Sequence, residues 1–209
     1  YQDLNMFDKA IEQYLFAIML GSNFEETHFN LGVIYQARNL LDKAIEQYLI
    51  AIKIRPDYIE AHYNLGVIYQ ARNMFDNALE QYLIVVDLDP DFAEAHYNLG
   101  VIYQTRNMPD KALEQYLSAI RLKPDYVKAH NNLGVIYEAR NMFDKAVEQY
   151  LIAANLKPED AEAHFNLGSV YYKMGQMEKA RGELTLGLKI KPDDREALQL
   201  LHQAMGNRR

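Results

Sequence analysis

Apolar and polar positions along this chain repeat on two scales. Within short windows the apolar and small residues fall at i, i+3, i+4 and i+7, the stripe of an amphipathic helix. On the longer scale the entire pattern returns every 34 residues. The string His-aromatic-Asn-Leu-Gly begins at His28, His62, His96 and His164, and at His130 with Asn131 in the aromatic slot. With this His as the fourth position, complete units span 25–58, 59–92, 93–126, 127–160 and 161–194. The first two agree at 21 of 34 positions, far beyond chance periodicity.

Each unit predicts two helices. In 59–92 the first covers roughly Glu60 to Arg72, with His62, Leu65, Gly66 and Tyr69 on its buried side. Asn73 follows, and Asn tolerates the left-handed backbone that ends a helix. Its equivalents are Asn39, Asn107, Asn141 and Gly175. Asp76 suits the start of the second helix, which is expected to turn Ala78, Leu79, Tyr82, Leu83 and Val86 inward. Pro90 stops it. No sustained alternating apolar pattern predicts a strand, so the fold class is all-α.

The partial units at the two ends keep the same frame. Residues 1–24 place Tyr1 at position eleven, Ala10 at twenty and Tyr14 at twenty-four, with Ser22 in the proline slot. Residues 195–209 supply a first helix with Leu198, Leu201 and Met205 on a stripe and Arg195, Gln199 and Gln203 as solvating residues. A start at Tyr1 rather than Met is what a fragment, a processed product or a partly observed protein would show.

The landmarks Leu65-Gly66, Tyr69, Ala78, Tyr82 and Pro90 resemble the tetratricopeptide repeat pattern. One departure recurs: His stands where that family usually has Trp. The resemblance implies an α-solenoid, a right-handed superhelix of stacked antiparallel helix pairs forming a single domain over 1–209. A lone hairpin cannot bury its apolar stripe, whereas stacked hairpins share a continuous core.

Composition narrows the function. The chain has no cysteine, which removes disulfides and thiolate chemistry. A net charge of −7 disfavours nucleic acid and anionic lipid. No apolar run approaches the ~20 residues of a membrane span. A soluble protein is therefore expected, with the cytoplasm favoured although the compartment is not fixed. The three serines lie outside any Gly-x-Ser-x-Gly elbow, and no phosphate-binding glycine loop occurs. The repeat histidines lie in successive layers about 8–10 Å apart, too far to share a metal at about 2 Å. They read as packed residues. The expectation is a non-enzyme with no cofactor and no metal site.

The face of the first helix opposite its buried stripe is the candidate site. Position six is Asn in every complete unit: Asn30, Asn64, Asn98, Asn132 and Asn166. Beside it stand Phe29, Tyr63, Tyr97 and Phe165, with Gln36, Gln70 and Gln104 two turns on. In tetratricopeptide proteins this strip lines a concave groove that holds extended peptides. The Asn ladder resembles the one in O-linked N-acetylglucosamine transferases. A primary amide offers both donor and acceptor, the complement of a peptide backbone. The alternatives are hydrogen bonds across neighbouring helices for the amides and layer packing for the aromatics. Position two carries Glu26, Glu60, Glu94 and Glu162 with Lys128 as the exception, so a neutral or basic partner fits better than an acidic C-terminus.

Three functions follow as expectations: a scaffold holding an extended polypeptide, a chain that associates with itself, and the substrate-selecting arm of a larger enzyme such as a glycosyltransferase. Self-association would run head to tail, residues 195–209 of one copy packing on 3–20 of the next. Its contacts would use Ile11, Tyr14, Leu15 and Ile18 at one end and Leu198, Leu201 and Met205 at the other. The result would be a homo-oligomer, ring or filament.

Overall fold

A computed structural model describes the backbone of residues 2–21 and 24–206, and side chains from Phe7 onward. Tyr1 and Ser22, used above to set the frame of the first half repeat, lie outside the described residues. Twelve α-helices and no strand occur among the described residues. They are α1 (Gln2–Met19), α2 (Glu25–Ala37), α3 (Leu41–Ile54), α4 (Ile59–Ala71), α5 (Phe75–Leu88) and α6 (Ala93–Thr105). These are followed by α7 (Pro109–Leu122), α8 (Val127–Ala139), α9 (Phe143–Leu156), α10 (Ala161–Lys173), α11 (Met177–Ile190) and α12 (Arg195–Gly206). The helices form two compact units, 1–102 and 103–209. In the first, α1 packs on α2, α2 on α3, α3 on α4 and α4 on α5; in the second, α7 packs on α8, α8 on α9, α9 on α10, α10 on α11 and α11 on α12.

The reversals fall where expected. Asn39, Asn73, Asn107 and Asn141 have φ of 56–58°, and Gly175 takes φ 74° in the fifth repeat. The N–H after each turn bonds back to the preceding helix, as Met74 does to the Tyr69 carbonyl at 2.9 Å, which satisfies a carbonyl of the helix end.

In the first four complete hairpins the core centres on one tyrosine of the second helix. Tyr48, Tyr82, Tyr116 and Tyr150 are fully buried. In three hairpins the ring lies against a glycine of the partner helix. A Cβ placed on Gly32, Gly66 or Gly134 would sit 2.4–2.7 Å from a carbon of that ring, so only glycine permits the approach. Ala44, Ala78 and Ala146 complete the close contact.

One inward assignment on α5 is corrected: Leu83 is exposed, whereas Leu79 and Val86 are half-buried and Ala78, Tyr82 and Val85 fully buried. Tyr82 and Val85 lie on one side at i, i+3, which turns Leu83 outward. In α4, Ile68 joins His62 and Leu65 in the core.

The first helix also departs from expectation. Ile11, Tyr14 and Ile18 pack against the core formed by Leu31, Tyr35 and Tyr48, so they are not a free apolar face. They meet the next hairpin as any second helix of the array does. The exposed apolar stripe is instead Leu15, Phe16, Met19 and Leu20, with Met19 82% exposed. At the other end, Leu198 and Met205 are exposed, Leu201 is half-buried, and α12 seats Ala197 and Ala204 against its neighbours.

Candidate functional site

The histidines are structural. His62 is buried; its Nδ1 is hydrogen-bonded to Gln81 Oε1 at 2.7 Å and its Nε2 to the Pro56 carbonyl at 2.9 Å. His130 repeats this with Gln149 and Pro124 at 2.8 and 2.9 Å. Each ring ties the two helices of its own hairpin and the loop before it. This explains how His can occupy the family's Trp slot: it exchanges bulk for two polar contacts.

On the opposite face, a polar relay links successive hairpins. The Tyr48 hydroxyl donates to Gln36 Oε1 at 2.7 Å and accepts from Asn64 Nδ2 at 3.3 Å. Tyr116 does the same between Gln104 (2.8 Å) and Asn132 (3.2 Å). Tyr82 donates to Gln70 at 2.8 Å, and Asn98 Nδ2 reaches the Tyr63 hydroxyl at 3.4 Å. Burial pushes the Tyr48 phenol up to about 12, although the Asn64 amide pulls the other way.

The predicted ladder thus stands on the first helices and is engaged across hairpins. It is not wholly consumed. Asn64 gives one N–H to Tyr48, and Asn98 gives one to Tyr63. Asn64 and Asn98 are both half-buried. Asn30 is exposed. The aromatics are half-buried and packed between layers. Phe29 lies 5.8 Å from Tyr48 and 4.9 Å from Tyr58, centroid to centroid. Tyr63 lies 5.9 Å from Tyr82 and 4.9 Å from Phe92. Phe165 packs over Gly187, and Tyr97 is half-buried.

Within residues 103–209 the relay changes. Position twelve becomes Glu138, and the Tyr150 hydroxyl donates to its Oε2 at 2.8 Å. Lys173 Nζ reaches Glu138 Oε1 at 2.8 Å, and Ser169 Oγ donates to the same oxygen at 3.4 Å. Burial and the adjacent carboxylate both push the Tyr150 phenol well above its ordinary value. Ser169 and Lys173 replace the Val and the Ala or Thr that hold those positions in earlier repeats. The charge substitution therefore arrives with its own partners. Sequence reasoning passed over this cluster; its signal was three simultaneous departures from the repeat within one patch.

Exposed ion pairs staple hairpins on the turn side: Arg72 to Asp42 and Arg140 to Asp110, each at 2.6 Å, and Arg38 to Asp8. The Arg72 guanidinium holds the Asp42 carboxyl below its usual range. Solvent screening leaves such exposed pairs little weight in stability. Among the described residues no group of His and carboxylates has metal-binding geometry, and no helix is long and apolar enough to cross a membrane.

This arrangement defines a helical repeat scaffold, and comparison with known proteins gives its family. The TPR repeat model matches residues 34–73, 68–106, 109–141 and 136–175, and the tetratricopeptide repeat model matches 161–194. The chain belongs to the tetratricopeptide repeat family. No curated protein sequence matches it. Among solved structures it is similar to YrrB, described as a TPR protein with an unusual peptide-binding site. That match has TM-score 0.76 and 23% identity, over 90% of this chain and 97% of that one. MamA matches with TM-score 0.71 and 26% identity over 79% of this chain and 97% of its own. Pseudomonas aeruginosa pilF matches with TM-score 0.78 at 15% identity over 97% and 100%.

Proposed function

We propose that this chain is a protein-interaction scaffold that holds an extended, neutral or basic polypeptide segment along the strip lined by its first helices. The observation that carries this reading is the row of first-helix amides, in which Asn64 and Asn98 are half-buried and each commits a side-chain N–H to a tyrosine hydroxyl. Each is oriented by a tyrosine hydroxyl, so it is held ready for a backbone N–H without further loss of side-chain freedom. Backbone recognition by repeated amides tolerates varied side chains, which suits a scaffold. The peptide-binding site named for YrrB is compatible with this use of the fold.

The test is a peptide array of short segments of graded charge, probed with the parent chain and with Asn64→Ala, Asn98→Ala, Asn132→Ala combined. Each lost amide contact weakens binding by about 0.5–1.5 kcal/mol. Helicity should be nearly unchanged, because the amide bonds to tyrosine are long. Equal binding by both chains would refute the proposal.

A second reading is head-to-tail self-association, favoured by the exposed apolar stripe of Leu15, Phe16 and Met19 on α1 with Leu20 in the turn after it, and by Leu198 and Met205 on α12. Charges introduced at Leu198 and Leu201 should dissociate any assembly seen by light scattering. A chain that stays monomeric at high concentration would rule it out.

A further inference from the structure

The tyrosine that fills each hairpin is absent from the last one. Position twenty-four is Leu184, following Tyr48, Tyr82, Tyr116 and Tyr150. Position six of the next helix is Leu200 rather than Asn, and position twelve of α10 is Tyr172 rather than Gln. Leu184 brings no hydroxyl to bridge these slots. A cleft of about 550 Å³ lies there between α10, α11 and α12. Its apolar lining includes Phe165, Leu184, Ala197 and Leu200.

Two further features give the cleft a chemistry. Asn166 lines it, and its Nδ2 is buried with no hydrogen-bond partner, unlike the amides of Asn64 and Asn132. A buried donor left unpaired is costly, and an acceptor brought by a ligand removes that cost. The cleft is also bordered by Asp160, Glu162, Asp194 and Glu196. Two of these carboxylates are already in use. Asp160 accepts from the Glu162 N–H at 3.2 Å, and Asp194 accepts from the Ala197 N–H at 3.1 Å and pairs with Lys191 at 2.9 Å. Lys191, the one basic side chain of the lining, is thereby neutralised. Glu162 and Glu196 are exposed and enter no ion pair among the described residues.

We infer that this cleft is an anchor pocket for an arginine or lysine side chain of the bound segment. Such side chains are amphipathic: a hydrocarbon stem lies on apolar surface while the charged head stays at the rim. Phe165 and Leu200, both half-buried, receive the stem above the fully buried Leu184, and Glu162 and Glu196 receive the cation. Asn166 donates to a backbone carbonyl beside it. A purely apolar side chain would leave the carboxylates unused, and an acidic one would be repelled. The inference names the partner chemistry at one position of the scaffold proposed above and rests on that reading.

The probes are N-acetyl-arginine methylamide and its neutral isostere N-acetyl-citrulline methylamide, titrated into the ¹⁵N-labelled full chain. The arginine compound should shift the Asn166 side-chain amide and the Ala197 and Leu200 backbone signals, and bind about fivefold tighter than citrulline. Glu162→Gln with Glu196→Gln, both exposed isosteric changes, should abolish that preference. Leu184→Tyr restores the residue of the other hairpins and should remove both ligands' shifts from the cleft. Equal affinity for the two compounds, or arginine shifts unchanged by Leu184→Tyr, would overturn the pocket. If the peptide array responds to the Asn variants while arginine shows no preference, this pocket is wrong and the scaffold reading stands. If the array is also blank, both fail.

Discussion

The slots around Tyr48 and those around Tyr150 are built from the same repeat positions, yet they behave differently. At Tyr48 a neutral glutamine accepts the phenol's hydrogen bond and a neutral asparagine donates back. At Tyr150 a carboxylate accepts it, and a lysine and a serine gather on that carboxylate. One hairpin later, at Leu184, no relay remains and a cleft takes its place. The repeat thus keeps its backbone while the chemistry of one recurring slot passes from neutral relay to charged cluster to pocket. Departures from a repeat, more than the repeat itself, mark where individual binding properties arise.

The largest expected effect contrasts two glycines within residues 103–209. Gly134→Ala would press a Cβ against the fully buried Tyr150 ring, 2.4 Å from its nearest carbon. Urea unfolding should show a loss of about 3 kcal/mol. Gly182 in α11 has open space where a Cβ would stand and no left-handed backbone, so Gly182→Ala should gain about 0.5–1 kcal/mol. Similar costs at both sites would break the account of tyrosine packing on glycine.

Removing single hydroxyls separates the two relays. Tyr48→Phe deletes a neutral exchange and should cost about 1 kcal/mol. Tyr150→Phe takes a donor from a largely buried carboxylate, and about 1.5–3 kcal/mol is expected. Glu138→Gln in the Tyr150→Phe background should recover part of the loss. Equal losses for the two phenylalanine variants would mean that Glu138 is satisfied by Lys173 and Ser169 alone.

The smallest effect is read in alkali. In the folded chain both phenols titrate above the ordinary tyrosine value of about 10. A raised folded value means the contribution is whole below about pH 10, where both states are protonated. It falls as pH rises from there toward about 12 for Tyr48, and over a higher range for Tyr150. Phenolate absorbance should therefore rise together with loss of helical circular dichroism, and Tyr150→Phe should flatten the alkaline limb. Free ionisation of all tyrosines near pH 10 with the helices intact would contradict the burial argument.

Most of the fold was legible in the chain itself. The 34-residue phase set the hairpins, and Asn73 and its equivalents marked the reversals because few other residues accept φ near 57°. His62 was readable as packed because it recurs in a fixed slot of every layer. The candidate strip was legible as a set of positions, but its state was not. Which acceptor Asn64 meets depends on a tyrosine sixteen residues earlier, and helical periodicity within one element says nothing about the rotation of its neighbour.

The sequence by itself determined the class of fold, its family and the places where the hairpins reverse, because these follow from local periods and from a motif repeated in phase. Only the tertiary structure decided that Ile11, Tyr14 and Ile18 are covered while Leu15, Phe16 and Met19 are not. It alone decided that Glu138 has its partners, and that the loss of one tyrosine at Leu184 coincides with an open cleft. The physical reason is that volume and hydrogen-bond satisfaction are properties of side chains from several helices at once. No single stretch of sequence contains them.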